Sequence, residues 1–283
     1  MSRYDLAGKV VLITGGAQGI GFETAQIAYR RGAAVALVDL DESFAAEAAA
    51  SIGPRAIGIG ANVVNSEEIE AAVERTRVEF GRVDVVIANA GVTPPKTTIR
   101  AISDEDWERV VNVNVLGVWR TVRAGLPQVA ENKGQLVNIS SNAAHANGML
   151  NSSYAVSKSA VEALGRALRS ELAPLGASAT VAYFGYVKTG LISEVFDNDL
   201  ADKFRKHVAP DFLTKQISVN QAATALVEGI ESRAARVISP NRWKPVFYLR
   251  GLLGPLSDRR LENDPKVADF VHQFEERDIP SDG

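Results

Sequence analysis

Short, uninterrupted apolar runs recur along the chain, each followed by a longer stretch with helical spacing, and this rhythm limits the fold more than any other feature. The runs are VVLIT (Val10 to Thr14), VALVD (Val35 to Asp39), AIGIG (Ala56 to Gly60) and VDVVIANAG (Val83 to Gly91). Strands whose apolar residues do not alternate with polar ones are covered on both faces, as in a parallel sheet between two layers of helices. Right-handed crossovers between such strands give a doubly wound α/β fold in three layers. The rhythm continues through QLVNIS (Gln135 to Ser140), a helix from about Ser152 to Leu172, and SATVAYF (Ser178 to Phe184). No linker or repeat interrupts it, although 283 residues would by length alone allow one domain or two.

After Phe184 the pattern changes to a polar, mobile-looking stretch, Leu191 to Pro210, then a helix from about Val219 to Ser232 and a last strand, RVIS (Arg236 to Ser239). The remaining residues read as short helices broken at Pro245, Pro255 and Pro265. The expected division is therefore a dinucleotide-binding and catalytic domain over 1–239 and a helical extension over 240–283. With 46% hydrophobic and 23% charged residues the chain is an ordinary packed globule. Its net charge of -3 supplies no basic field for nucleic acid, which leaves small molecules as expected partners. With no cysteine and only three histidines (His145, His207, His272), no metal site is expected. No run reaches the roughly 18 apolar residues of a membrane span, and MSRYDLAGKV lacks an apolar leader, which reads as a cytoplasmic protein.

The first strand runs into VLITGGAQGIGFETA, which places Gly15, Gly19 and Gly21 where a strand turns into a helix. Glycines there permit positive φ and close approach to a pyrophosphate, whose charge the N–H groups and dipole of the helix stabilise. The spacing is G-x-x-x-G-x-G, so the cradle differs in shape from the G-x-G-x-x-G fingerprint. A tight packing turn without ligand is the competing reading. Asp39 ends the second strand, where its carboxylate can accept from the adenine ribose hydroxyls and would repel a 2′-phosphate. Neither Gln18 nor Leu40 is basic, so NAD is favoured over NADP. The alternative is that Asp39 is only a solvated strand end.

Tyr154 and Lys158 stand four apart in a predicted helix and share a face. Alone that pair describes an exposed helix face as well as a site. Ser141, thirteen residues earlier, ends the strand QLVNIS at the sheet edge where open α/β sheets bind ligands and where the glycine turn opens. A phenol with a pKa near 10 is a poor base at neutral pH, but an adjacent ammonium and an oxidised nicotinamide both favour the phenolate. Lys158 supplies that charge, Ser141 can bond the substrate oxygen, and Tyr154 can exchange the hydroxyl proton during hydride transfer.

Together TGGAQGIG, NAG (Asn89, Ala90, Gly91), NVNVLG around Asn114, Ser141 and YAVSK resemble the short-chain dehydrogenase/reductase family over about Leu6 to Thr189. The resemblance implies a single Rossmann-type domain with Tyr154 as acid/base. It also implies that Lys158 binds the nicotinamide ribose and that Asn114 holds a water linking Lys158 to solvent, so the expected catalytic set is Asn114, Ser141, Tyr154 and Lys158. By position, Gly15, Gln18, Gly19, Ile20 and Gly21 form the turn, Asp39 and Leu40 flank the adenine ribose, and NAG supports the adenine side and the central strand. Val187 and Thr189 match the V-x-T that holds the carboxamide. Two departures stand out: Phe184-Gly185 replaces the usual Pro-Gly, and Asn62-Val63 replaces the usual Asp-Val against the adenine. Asn62 can still accept and donate there, while Phe184 is expected to add an aromatic face near the nicotinamide. The family also implies a homo-oligomer, tetramer before dimer, paired through the long helices before and after QLVNIS.

The expected function is an NAD-dependent oxidoreductase interconverting a secondary alcohol and a ketone. Alternatives are an NADPH-dependent carbonyl reductase and a non-catalytic nucleotide-binding or interaction protein. Met149, Leu150, Tyr186, Leu191 and Phe196 border the expected substrate position and suggest a lipophilic substrate, and His145 either lines that pocket or is an ordinary loop residue. In the extension, Trp243, Phe247, Tyr248, Leu249, Leu252 and Leu253 lie among Arg242, Lys244, Arg250, Arg259 and Arg260. Packing on the body or at an interface, a substrate lid, and an interfacial membrane helix all remain open.

Overall fold

The computed structural model describes residues 3–190 and 199–279, so the expectations for Leu191 and Phe196 lie outside the described residues. Seven strands form one fully parallel sheet: β1 (Val10–Thr14), β2 (Ala34–Asp39), β3 (Ala56–Gly60), β4 (Val85–Ala88), β5 (Gln135–Ser141), β6 (Ser178–Phe184) and β7 (Arg236–Ser239). The order is β3-β2-β1-β4-β5-β6-β7, with Ile13 opposite both Leu37 and Ile87. The chain winds outward in both directions from β1, so the crevice at the carboxyl ends of β1 and β4 is the position where doubly wound sheets bind ligands.

Helices cover both faces. On one lie α1 (Gly19–Arg30), α2 (Glu42–Ile52) and α9 (Val219–Glu231), on the other α3 (Ser66–Phe80), α4 (Asp104–Val111), α5 (Val118–Glu131) and α6 (Ser152–Leu172). Alternate residues of β1 feed the two cores: Val11 and Ile13 pack with Ala25, Ala28 and Leu226, while Leu12 packs with Ile69, Val73 and Val122. The single Rossmann-type sheet in three layers is thus the observed architecture.

Three details differ from the sequence reading. The stretch taken as mobile contains α7 (Asp199–Val208), followed by one helical turn, α8 (Asp211–Thr214). In α7 Asp199 and Asp202 occupy the first turn and Arg205, Lys206 and His207 the last, matching the helix dipole, and Asp202 pairs with Arg205 (2.5 Å) and Lys206 (2.6 Å). Residues 112–117 between α4 and α5 form a π-helical turn, which widens the spiral around Asn114. Beyond β7 come α10 (Lys244–Tyr248), α11 (Arg250–Glu262) and α12 (Pro265–Asp278). Pro245 and Pro265 start helices, but Pro255 lies inside α11 instead of breaking it. The Gly251 carbonyl that Pro255 leaves without a donor belongs to an exposed residue, where water can serve it.

Candidate active site

The glycine turn is fixed from two sides. Gly15 and Gly19 have φ of 60° and 56°, the left-handed region in which a Cβ is unfavourable. A Cβ on Gly15 would stand 2.9 Å from the Cα of Ala90, and one on Gly21 would stand 2.3 Å from the Gly15 carbonyl oxygen. From the neighbouring strand Asn89 donates through Nδ2 to the carbonyls of Thr14 (3.0 Å) and Gly15 (2.8 Å), and its backbone N–H reaches the Thr14 hydroxyl. Thr14 is a supporting residue that the sequence reading missed, although it closes the run VVLIT.

Whether a dinucleotide pyrophosphate fits this turn is answered by the cap of α1. Gln18 makes no side-chain cap and the first turn, which begins Gly19, Ile20, Gly21, carries no acidic residue. By contrast α2, α3, α4, α9 and α12 are capped by Asp41, Asn65, Ser103, Ser218 and Asp264. The uncapped N–H groups and the glycine surface therefore suit an anion. Asp39 stands beside the turn: its carboxylate accepts from the N–H groups of Ala17 (3.0 Å) and Leu40 (2.9 Å), which holds it there. Leu40 is exposed. Asn62 accepts from the Val64 N–H (3.1 Å), which occupies its carbonyl oxygen and leaves the amide nitrogen as its donor, while Val63 is buried against Gly117.

At the same sheet edge β5 ends at Ser141, and α6 carries Tyr154 and Lys158 one turn apart. The Ser141 hydroxyl faces the Tyr154 phenol, which it can bond, while it donates to the Phe184 carbonyl (3.4 Å) and accepts from the Ala143 N–H (3.1 Å). Burial raises the Tyr154 pKa, and the Ser141 bond opposes that shift. Lys158 is buried, its Nζ donating to the Ile139 carbonyl (3.0 Å) and standing 5.5 Å from the centre of the Tyr154 ring. Burial lowers its pKa from 10.5 to about 8. Asn114 lies in the π turn, accepts from the Val92 N–H (2.8 Å), and donates to the Val92 carbonyl (2.9 Å) and the Ser157 hydroxyl (3.1 Å). Ser157, missed in the sequence although it sits inside YAVSK, donates in turn to the Tyr154 carbonyl (2.8 Å). A Cβ on Gly91 would meet Asn114 Oδ1 at 3.2 Å and Lys158 Nζ at 3.5 Å, so glycine there lets these two groups approach.

The segment after β6 returns to the glycine turn. Val187 bridges to Ile217, and Thr189 Cγ2 would lie 3.5 Å from a Cβ on Gly19, which brings the V-x-T segment to the mouth of the turn. Phe184 corrects an expectation: it is buried in the core with Ile139 and Ala222 and offers no open aromatic face. Gly185 is required for another reason, since a Cβ there would stand 2.9 Å from Trp243 Nε1 of the extension.

A family model described as short chain dehydrogenase matches residues 9–200. The chain belongs to the short-chain dehydrogenase/reductase family. This short-chain dehydrogenase is 32% identical over 190 residues to the cis-4-hydroxycyclohexanecarboxylate dehydrogenase of Sinomonas cyclohexanicum, covering 66% of the chain and 76% of that protein. It is 30% identical over 217 residues to the 3-hydroxyacyl-CoA dehydrogenase type-2 of Bos taurus, covering 72% of the chain and 81% of that protein. A crystal structure of the 3-ketoacyl-(acyl-carrier-protein) reductase from Brucella melitensis, complexed with NADH, superposes with a TM-score of 0.74 at 26% identity, covering 83% of this chain and 97% of that one. As a family member the protein is an oxidoreductase that uses a nicotinamide cofactor and acts on small molecules.

The family match ends at residue 200, and the helices α8 to α12 lie beyond it. Helix α12 reaches three segments that leave the catalytic edge of the sheet. Its Glu275 accepts from Thr98 (3.1 Å) and pairs with Arg100 (3.2 Å), and Arg277 donates to the Lys96 carbonyl (2.6 Å) in the segment after β4. Its Phe274 is buried with Leu150, which follows β5, and Ala201 of α7. Asp264, the α12 cap, pairs with His207 of α7 (2.7 Å), and the rings of Phe204 and Phe270 meet at 5.5 Å. Met149 and Leu150 therefore pack under the extension, while Tyr186 is partly exposed, its pKa raised by burial. His145 lies in a separate cluster, with the Phe247 ring at 4.8 Å, Glu162 at 3.3 Å and Arg250 at 2.9 Å. Burial lowers its pKa, the Glu162 charge opposing and the Arg250 charge assisting, so His145 serves as a neutral packing residue. Among the described residues no helix is long and apolar enough to cross a membrane, and no group of three His, Cys, Asp or Glu is placed to hold a metal.

Proposed function

We propose that this protein is an NAD-dependent dehydrogenase that interconverts a secondary alcohol and a ketone, with Tyr154 as acid/base. The observation that carries the reading is the set formed by Ser141, Tyr154 and Lys158, with the serine hydroxyl on the phenol and the ammonium 5.5 Å from the ring. In alcohol oxidation Ser141 donates a hydrogen bond to the substrate oxygen and Tyr154 Oη takes the hydroxyl proton. A nicotinamide held by Lys158, Val187 and Thr189 would supply the hydride acceptor for oxidation and the hydride donor for reduction. Positive charge on Lys158 stabilises the phenolate, countering the burial that raises the Tyr154 pKa. Asn114 positions the Val92 segment and Ser157 behind the pair, and a water at Asn114 would connect Lys158 to solvent.

NAD is the proposed cofactor because Asp39 is fixed by two backbone N–H groups where a 2′-phosphate would lie, with no basic side chain at Gln18 or Leu40. Gly15, Gln18, Gly19, Ile20 and Gly21 would hold the pyrophosphate. Asp39, Leu40, Asn62, Val63, Asn89, Ala90 and Gly91 would line the adenosine side. Tyr154, Lys158, Gly185, Val187 and Thr189 would contact the nicotinamide end. The NADH complex of the Brucella reductase is in line with the cofactor, and the cyclic secondary alcohol named for the Sinomonas relative is in line with the substrate class. A lipophilic substrate is read from Met149 and Tyr186, which keep part of their surface exposed, whereas Leu150 is spent on packing against Phe274. We read 1–239 as the catalytic unit, 240–283 as a wall around the substrate side, and the cytoplasm as the compartment. Leu116 and Trp119 before β5 and Val156 after it are exposed on the long helical segments through which a homotetramer, or a dimer, would pair.

Initial rates with NAD and NADP across cyclic, aromatic and steroid alcohols test the reading. The expected result is turnover of a lipophilic secondary alcohol with kcat/KM for NAD at least about tenfold above NADP, the scale of hydrogen bonds to a charged group. Preference for NADP would contradict the Asp39 argument, and no turnover in either direction with any pair would contradict the enzyme.

A further inference from the structure

Helices α10 and α11 turn different sides to the protein and to solvent. On the inner side Arg250 pairs with Glu162 of α6 (2.8 Å), Phe247 is buried, and Asp258 accepts from Asn147 (2.8 Å). On the outer side Tyr248 is 68% exposed, Leu252 65% and Leu256 60%, with Leu249 and Leu253 beside them. At roughly 100° per residue, Leu252, Leu253, Leu256, Arg259 and Arg260 fall within one arc of about 120° on α11, with Asp258 on the far side. Lys244, one turn before Tyr248, is exposed as well. Among the described residues none of these three cations forms an ion pair, and no carboxylate of α11 shares the arc.

We propose that this outer face docks on a lipid bilayer that carries anionic headgroups. Leucines and a tyrosine in a contiguous exposed patch gain by entering the boundary between headgroups and acyl chains, and adjacent cations gain by meeting lipid phosphates. The two arginines share the leucine face, and their long stems can lie along apolar surface while the guanidinium groups reach the headgroups. Charge argues against a second copy of the chain as occupant. Two-fold self-pairing of this face would lay Arg259 and Arg260 on the partner's leucines, burying both guanidinium groups where the arc offers no carboxylate to pair with them. The chain as a whole carries -3, so an anionic surface attracts this face while repelling the rest, which fixes the orientation of docking. Asn147 and His145, held by α11, belong to the segment between Ser141 and Tyr154, so docking sets the substrate side of the catalytic edge beside the bilayer. Uptake of a lipophilic alcohol from that bilayer rests on the proposed function; the docking does not.

The test is flotation of the full-length protein with vesicles of phosphatidylcholine alone and with phosphatidylglycerol added. The expected result is co-flotation with the anionic vesicles that weakens with salt. The double variant Leu252→Ser/Leu256→Ser should lose about tenfold or more in vesicle affinity. Arg259→Gln/Arg260→Gln should lose the preference for phosphatidylglycerol. NADH binding, read by fluorescence in the same samples, should be unchanged in both variants and shows that the fold is intact whatever the substrate proves to be. Failure of the unaltered protein to float with either vesicle overturns the proposal, as does undiminished flotation of the leucine variant. A smaller particle for the leucine variant in light scattering, with no flotation of the parent, assigns the face to a second copy and overturns it too.

Discussion

Lys158 shows what the site costs the fold. Its pKa falls from 10.5 to about 8, so folding disfavours the ammonium relative to the unfolded chain, although the group still carries its charge at pH 7. That burial is free above pH 10.5, grows costly as pH falls, and reaches its full value, about 3 kcal/mol, below pH 8. Lys158→Met should therefore raise the melting temperature of the cofactor-free protein at pH 7, with a gain that shrinks toward pH 10, while turnover collapses. A change in melting temperature that is the same at every pH would show that Lys158 is not buried as a strained base. Tyr154 carries the complementary expectation: its pKa is raised, so kcat/KM for alcohol oxidation should climb with pH and that for ketone reduction should fall. Their juxtaposition was legible in the sequence because a tyrosine and a lysine one helical turn apart share a face whatever surrounds them. Thr14 and Ser157 were not, since their importance lies in bonds to Asn89 and Asn114 made only after the strands have paired.

Among elements, the strands and α6 could be read in advance because each is an apolar run or a face of fixed period. The π turn at residues 112–117, the helix α7 and the continuity of α11 through Pro255 could not, because each depends on partners distant in sequence. Gly91→Ala probes the π turn: its Cβ would press on Asn114 and Lys158, so activity should drop while thermal unfolding changes little. Equal loss of both would mean that Gly91 matters for packing alone. Phe274→Ala probes α12. Its side chain is fully buried beside Leu150 and Ala201, and truncation should cost about 3–5 kcal/mol in urea unfolding. The effect should also appear as faster hydrogen exchange in 148–152 and 199–208, because α12 holds both segments. Exchange confined to α12 itself would show that it only rests on the body.

For the whole molecule, a short-chain dehydrogenase/reductase sheet supplies the cofactor crevice, and helices outside the family match fasten the loops around its catalytic edge. That division explains why the glycine turn was readable and the packing of the substrate side was not. The glycines, Asp39 and NAG form a short-range pattern around one turn, whereas Leu150, Phe204 and Phe274 answer to one another from distant parts of the chain. The account stands or falls on Tyr154, and the most direct measurement is the turnover of Tyr154→Phe on the best alcohol found with NAD. The account predicts a fall in kcat of roughly 10²–10⁴, with NADH binding and thermal unfolding close to those of the parent. Turnover within a few-fold of the parent, on an equally stable protein, would contradict it.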